Sequence, residues 1–307
     1  MNITKEVASI LANYTNENPG VRANLLRILM SGKLAGTGRL IILPVDQGFE
    51  HGPSRSFLVN KPSFDPLYHL DLALEAGLSA FAAPLGMLEV CAASNYLGLI
   101  PSILKINSNN SLFPNDDDPT QAITATVDDA LRLGCAAIGY TIYPGSKFSH
   151  EMLESFTYLA NEAKSKGLAV VVWSYARGAE LDNNSETALD VIAYSAHIAA
   201  LIGANIIKVK LPTSHISCPK TQKLITEQNL DFSLLESRVS YIKQCCFEGK
   251  RLVIFSGGAT KSDQEVINDF ESIAKAGGNG SIIGRNIFQR NKKDALVLLE
   301  KLSTVYK

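Results

Sequence analysis

The segment Ile206-Ile207-Lys208-Val209-Lys210-Leu211 puts two amines where they can do chemistry. Side chains alternate along a strand, so Lys208 and Lys210 share one face while Ile207, Val209 and Leu211 share the other. Burying an ammonium without a partner is costly. Two like charges about 6 Å apart repel by roughly 3 kcal/mol at an effective dielectric of about 20, or about two pK units. That brings one amine toward neutral pH, where it sheds its proton and becomes a nucleophile. The same hexapeptide also fits two lysines reaching solvent from a strand end, or a simple phosphate ligand.

The elements that must hold such an amine are legible from residue 39 onward. Short apolar runs at 39–46, 78–84, 102–107, 135–142, 169–175, 204–211, 251–256 and 279–284 read as strands. Amphipathic stretches near 65–76, 86–95, 120–133, 149–166, 186–202, 233–247, 263–276 and 290–304 read as helices between them. Runs such as Leu168 to Trp173 are apolar at every position, which suits parallel strands covered on both faces. Eight βα units without a linker predict an α/β fold, a closed (β/α)8 TIM barrel over 39–307. Residues 1–38 read as a helical N-terminal extension, with apolar stripes at Val7, Ile10, Leu11 and at Leu25, Leu26, Ile28, Leu29. The polar segment 212–230 reads as a partly helical insertion or lid.

Composition narrows the class. The chain has 307 residues, 46% of them hydrophobic, enough for a large core. A formal charge of −1, from 29 basic and 30 acidic residues, argues against a nucleic-acid or membrane partner. The N-terminus lacks the charged and apolar regions of a secretion signal, and no run of about 18 apolar residues occurs. The five cysteines show no metal-ligand spacing. A cytoplasmic, metal-free protein is expected.

In a (β/α)8 barrel the chemistry sits at the C-terminal ends of the strands, and polar residues of this chain gather there. Ser256-Gly257-Gly258 and Gly284-Arg285 follow the last two strands, where backbone N–H groups can cradle a phosphate and Arg285 can add a bidentate contact. Asp46 ends the first strand and can serve as a general base or as a cap. His51 reads as a phosphate contact or an ordinary loop histidine, with Glu50 orienting it. Trp173 and Tyr175 share a strand face: the first suits a packing wall, the second a proton shuttle whose phenolate a nearby lysine charge favours. Arg177 reads as a second anion clamp or a surface arginine, and Lys105 as another interior cation or a counter-ion to Asp46.

These motifs together resemble the archaeal-type class I fructose-bisphosphate aldolases, the DhnA-type aldolase family. The match runs through Val45-Asp-Gln-Gly-Phe-Glu-His-Gly-Pro53, Gly139-Tyr-Thr-Ile-Tyr-Pro-Gly-Ser146 and Val171-Val-Trp-Ser-Tyr-Ala-Arg-Gly178. It continues through Gly203 to Lys210, Ser256 to Gly258 and Gly284 to Asn286, in the family's order across the barrel. The resemblance implies a Schiff base on Lys208, Asp46 acting in carbon–carbon cleavage and Tyr175 as acid/base, with Trp173 beside it. It implies phosphate contacts at Ser256, Gly257, Gly258, Gly284 and Arg285, with Arg177 and His51 for the distal phosphate. Lys210 and Lys105 complete the expected site. The implied reaction is reversible cleavage of fructose 1,6-bisphosphate by a higher homo-oligomer needing no metal or cofactor. A related Schiff-base lyase or acyl transferase acting on another phosphorylated sugar or dione is the alternative, followed by a barrel isomerase in which Lys208 is only a charge.

Overall fold

The computed structural model describes residues 3–94, 96–112, 118–257 and 261–307. Eight strands form a closed barrel: β1 (Leu40–Pro44), β2 (Ala80–Pro84), β3 (Ser102–Lys105), β4 (Ala137–Ile142), β5 (Ala169–Ser174), β6 (Ile206–Lys210), β7 (Leu252–Ser256) and β8 (Gly280–Ile282). Every neighbouring pair is parallel, and β1 pairs with β8 to close the ring, Leu40 opposite Gly280. This is the barrel expected from the alternation of apolar runs and amphipathic stretches.

The helices are α1 (Lys5–Ala12), α2 (Pro19–Leu29), α3 (Gln47–Phe57), α4 (Pro66–Ala76), α5 (Leu85–Ala92), α6 (Val127–Arg132) and α7 (Ser149–Ser165). They continue with α8 (Leu189–Leu201), α9 (Pro219–Glu227), α10 (Leu235–Cys245), α11 (Asp263–Lys275), α12 (Arg285–Phe288) and α13 (Lys292–Tyr306). The helix expected over 120–133 is shorter. Thr126 and Asp129 form a reciprocal capping box that starts α6 at Val127. Ala122–Ile123 instead pairs antiparallel with Asn107–Ser108 as a small ribbon over the β3 end. In the 212–230 segment the helical part is α9, none of whose residues is buried.

Two cores result. The outer one lies between strands and helices, where Phe81, Val172, Ile207 and Phe255 meet Leu72, Phe156, Ile192 and Leu298. The inner one fills the barrel: Leu40, Ile42, Ile103, Val171, Ile206 and Ile254 pack with Val7, Tyr14, Val21, Leu25 and Ile28. Helices α1 and α2 therefore plug the N-terminal end of the barrel. Asn18 caps α2 by accepting from Val21 N at 2.9 Å, and Pro19 follows at the helix start. The buried Tyr14 hydroxyl donates to Asn205 O at 2.6 Å and accepts from Leu252 N at 2.9 Å, joining the plug to β6 and β7.

Candidate active site

Lys208 stands on the interior face of β6, opposite Trp173 on β5 and Ile254 on β7. It is only 4% exposed, and its ammonium donates to the Tyr175 hydroxyl. The amine lies 5.6 Å from the Trp173 ring centroid and 4.8 Å from that of Tyr175. Burial pulls its pKa down to about 8; Asp46 and then Glu50 oppose the fall, while Lys105 and Arg177 deepen it. The sequence assigned that cationic push to Lys210. Lys210 instead holds Glu186 at 2.7 Å, which offsets its charge locally, so burial and two other cations do the work.

Trp173 and Lys105 are both buried and are not among the described residues that line the cavity; they lie against each other, the Lys105 amine 5.9 Å from the Trp173 ring centroid. Lys105 donates to the backbone carbonyl and, at 2.8 Å, the side-chain oxygen of Asn107. Asn107 in turn bonds both backbone groups of Thr141 at 2.8 Å, tying the β3 end to β4. Burial lowers the Lys105 pKa to about 8 as well. The Trp173 ring occupies space left by Gly139 on β4, where a Cβ would stand 2.3 Å from Trp173 Cζ3.

Tyr175 is a proton-bearing phenol, contrary to the phenolate suggested by the neighbouring lysine. Burial, then Glu50 and Asp46, hold its pKa well above the ordinary value, and Arg177 reverses only part of this. The Arg177 guanidinium sits 5.3 Å from the Tyr175 ring centroid and 5.7 Å from that of Tyr143, a stacked position that orients a cation. The loops after β4 and β5 that carry these groups touch. A Cβ on Gly178 would lie 1.8 Å from Gly145 O, so only glycine permits that approach.

These groups open onto a cavity of about 630 Å³, counting its solvent-open mouth, at the C-terminal end of the strands. Asp46, Gln47, Glu50 and His51 supply one wall from β1 and the first turn of α3. Asp46 occupies the cap position of α3 yet makes no side-chain capping bond, so the capping alternative is not how its carboxylate is used. His51 Nε2 lies 3.7 Å from a Glu50 oxygen; burial lowers its pKa, Glu50 raises it, and Arg285, Arg55 and Arg177 lower it further. Ser256, Gly257, Gly284, Arg285 and Asn286 supply the opposite wall from the ends of β7 and β8, and Lys210, Tyr175, Arg177 and Lys208 the remainder. Gly258 lies outside the described residues.

The sequence reading left out Glu186, named Asn286 only within the family match, and gave Glu50 only the task of orienting His51. Glu50 shares an i, i+3, i+4 face with Gln47 and His51, a spacing visible in the sequence once α3 is recognised. Glu186 lies in the single-turn 3₁₀ helix Ser185–Thr187, 24 residues from its partner Lys210, and no spacing rule connects them.

The arrangement pairs a buried, readily deprotonated amine with a protonated phenol, beside carboxylates and cations. It can form an imine with a carbonyl and move protons around it. Comparison with known proteins agrees. The family model described as "DeoC/LacD family aldolase" matches residues 40–290. A protein of Chlamydia muridarum named probable fructose-bisphosphate aldolase class 1 is 35% identical, over 95% of this chain and 86% of its own. The fructose-bisphosphate aldolase class 1 of Thermoproteus tenax is 35% identical, over 88% of this chain and 90% of its own. An archaeal fructose-1,6-bisphosphate aldolase, solved with its catalytic lysine covalently bound to the carbinolamine intermediate of the substrate, superposes with a TM-score of 0.72. It is 33% identical, over 88% of this chain and 95% of that one. With its barrel closed around a buried amine and its relatives named class 1 fructose-bisphosphate aldolases, the chain belongs to the DeoC/LacD aldolase family.

Proposed function

We propose that this chain is a class I fructose-1,6-bisphosphate aldolase, reversibly forming dihydroxyacetone phosphate and glyceraldehyde 3-phosphate. The observation that carries the reading is the Lys208–Tyr175 pair: an amine brought to about 8, hydrogen-bonded to a phenol that keeps its proton. Neutral Lys208 attacks the C2 ketone and gives a carbinolamine. Tyr175 donates its proton to the departing hydroxyl, water leaves, and an iminium remains. The iminium accepts the electron pair of the C3–C4 bond as Asp46 takes the C4 hydroxyl proton. Glyceraldehyde 3-phosphate departs. Protonation of the enamine at C3, with proton traffic through Tyr175, and hydrolysis of the imine then release dihydroxyacetone phosphate and restore the amine.

The wall at Ser256, Gly257, Gly284 and Arg285 suits the phosphate next to the ketone, and Arg177 with His51 the distal one. The activity fits glycolysis or gluconeogenesis in the cytoplasm, and we extend to this chain the homo-oligomeric state implied by the family resemblance. The test is borohydride reduction in the presence of dihydroxyacetone phosphate, followed by peptide mass spectrometry. A reduced adduct on Lys208 is expected, with Lys208→Met losing at least about a thousandfold in cleavage while remaining folded. No adduct, or near-normal turnover by Lys208→Met, refutes the reading.

A further inference from the structure

Among the described residues Lys210 is the one lysine besides Lys208 that lines the cavity, and it donates to Glu186 Oε2 at 2.7 Å. An ammonium carries three N–H donors, so this pairing leaves two for an incoming anion. Position matters as much as capacity. On β6, Lys210 stands in register with Ser256 of β7, which puts it beside the wall of Gly257, Gly284 and Arg285. It is also two residues beyond the amine that attacks the ketone.

Glu186 reaches Lys210 from the short 3₁₀ helix Ser185–Thr187 in the connection between β5 and α8, and that connection is tied to the segment after β6. Thr187 O accepts from Thr213 N at 2.8 Å and from its hydroxyl at 3.1 Å. Leu189 N donates to His215 O at 2.8 Å. The Asp190 carboxylate accepts from Ser217 N at 2.9 Å and Cys218 N at 2.8 Å. Two crossover loops thus support a single carboxylate aimed at one ammonium. A free lysine side chain samples many rotamers, and an arm held in place by a fixed partner loses less freedom when an anion binds.

Resting on the aldolase reading above, we propose that Glu186 is a positioning residue. It presents the Lys210 ammonium to the substrate phosphate next to the ketone, so that this end of the substrate is recognised through an ion pair built across two loops. Lys210 meets the phosphate alike in the ground and transition states, so the pair acts on binding and not on the chemical step. Both side chains are about one-fifth exposed, at 20% and 22%, so solvent moderates the effect.

The experiment is a double-mutant cycle on the full chain with wild type, Glu186→Gln, Lys210→Met and the double variant. Steady-state cleavage of fructose 1,6-bisphosphate is read alongside calorimetric titration with inorganic phosphate. Glu186→Gln is expected to raise KM about tenfold with kcat within about twofold, and to weaken phosphate binding by a similar factor. The double variant is expected to match Lys210→Met alone, because Glu186 acts through that lysine. Unchanged KM and phosphate affinity in Glu186→Gln, fully additive losses in the double variant, or a fall in kcat alone overturns the proposal. If wild type cleaves no fructose 1,6-bisphosphate, the aldolase reading fails, and the phosphate titration still decides the ion-pair proposal.

Discussion

Burial is the main force lowering the Lys208 pKa, and the groups around it set the remaining balance in opposite directions. Asp46 is the strongest force holding the proton on, and Lys105 is the first of the cations driving it off. The signs are testable. Only the neutral amine attacks a carbonyl, so the rate of borohydride trapping should rise with pH and level off above about 8. Lys105→Met removes a cation, lets Lys208 keep its proton longer, and moves this limb to higher pH. Asp46→Asn removes an anion and moves the limb lower, with a large loss in cleavage if Asp46 is the base. Coincident limbs in all three proteins would show that the charges are screened from one another and that burial alone sets the amine.

At the scale of elements, legibility followed the physics that fixes each piece. Val170, Val171 and Val172 are buried on a strand covered on both faces, and such continuous apolar runs exposed the barrel in the sequence. The alternation that put Lys208 and Lys210 on one face was readable for the same reason. The ribbon of Asn107–Ser108 with Ala122–Ile123 was not, because pairs of residues two positions long carry no period. Nor was the absence of Lys105 and Trp173 from the cavity lining. It depends on how far up each strand the interior stays closed, a property of the assembled barrel. Gly139 shows how tightly that level is packed. Alanine there would place Cβ 2.3 Å from the Trp173 ring, which must shift or strain. Gly139→Ala is expected to cost about 1–3 kcal/mol of stability and to lower cleavage by roughly tenfold or more as the surface under Lys208 tilts. Trp173 is the chain's single tryptophan, so its emission spectrum reports the displacement directly. Unaltered emission with normal turnover would mean that the ring does not support the amine.

For the molecule as a whole, the two ends of the barrel divide the work. The C-terminal end gathers ionisable groups around an open cavity, while the N-terminal end is sealed by α1 and α2. The apolar faces of those helices are used inside the same chain. Leu25 and Ile28 are fully buried against the barrel interior, and Tyr14 satisfies backbone groups of Asn205 and Leu252. Removing residues 1–36 would therefore open the barrel's inner core to water, and we expect that variant to lose its cooperative thermal transition. Two milder substitutions separate this from a role in assembly. Leu25→Ala should cost about 2–5 kcal/mol, lowering Tm by roughly 5–10 °C. Tyr14→Phe should cost about 1–3 kcal/mol by leaving the Leu252 N–H without its acceptor. Calorimetry with light scattering on the same samples decides between the roles. A lower Tm at unchanged particle mass marks an internal plug, whereas an unchanged Tm with a smaller particle would place α1 and α2 in a subunit interface.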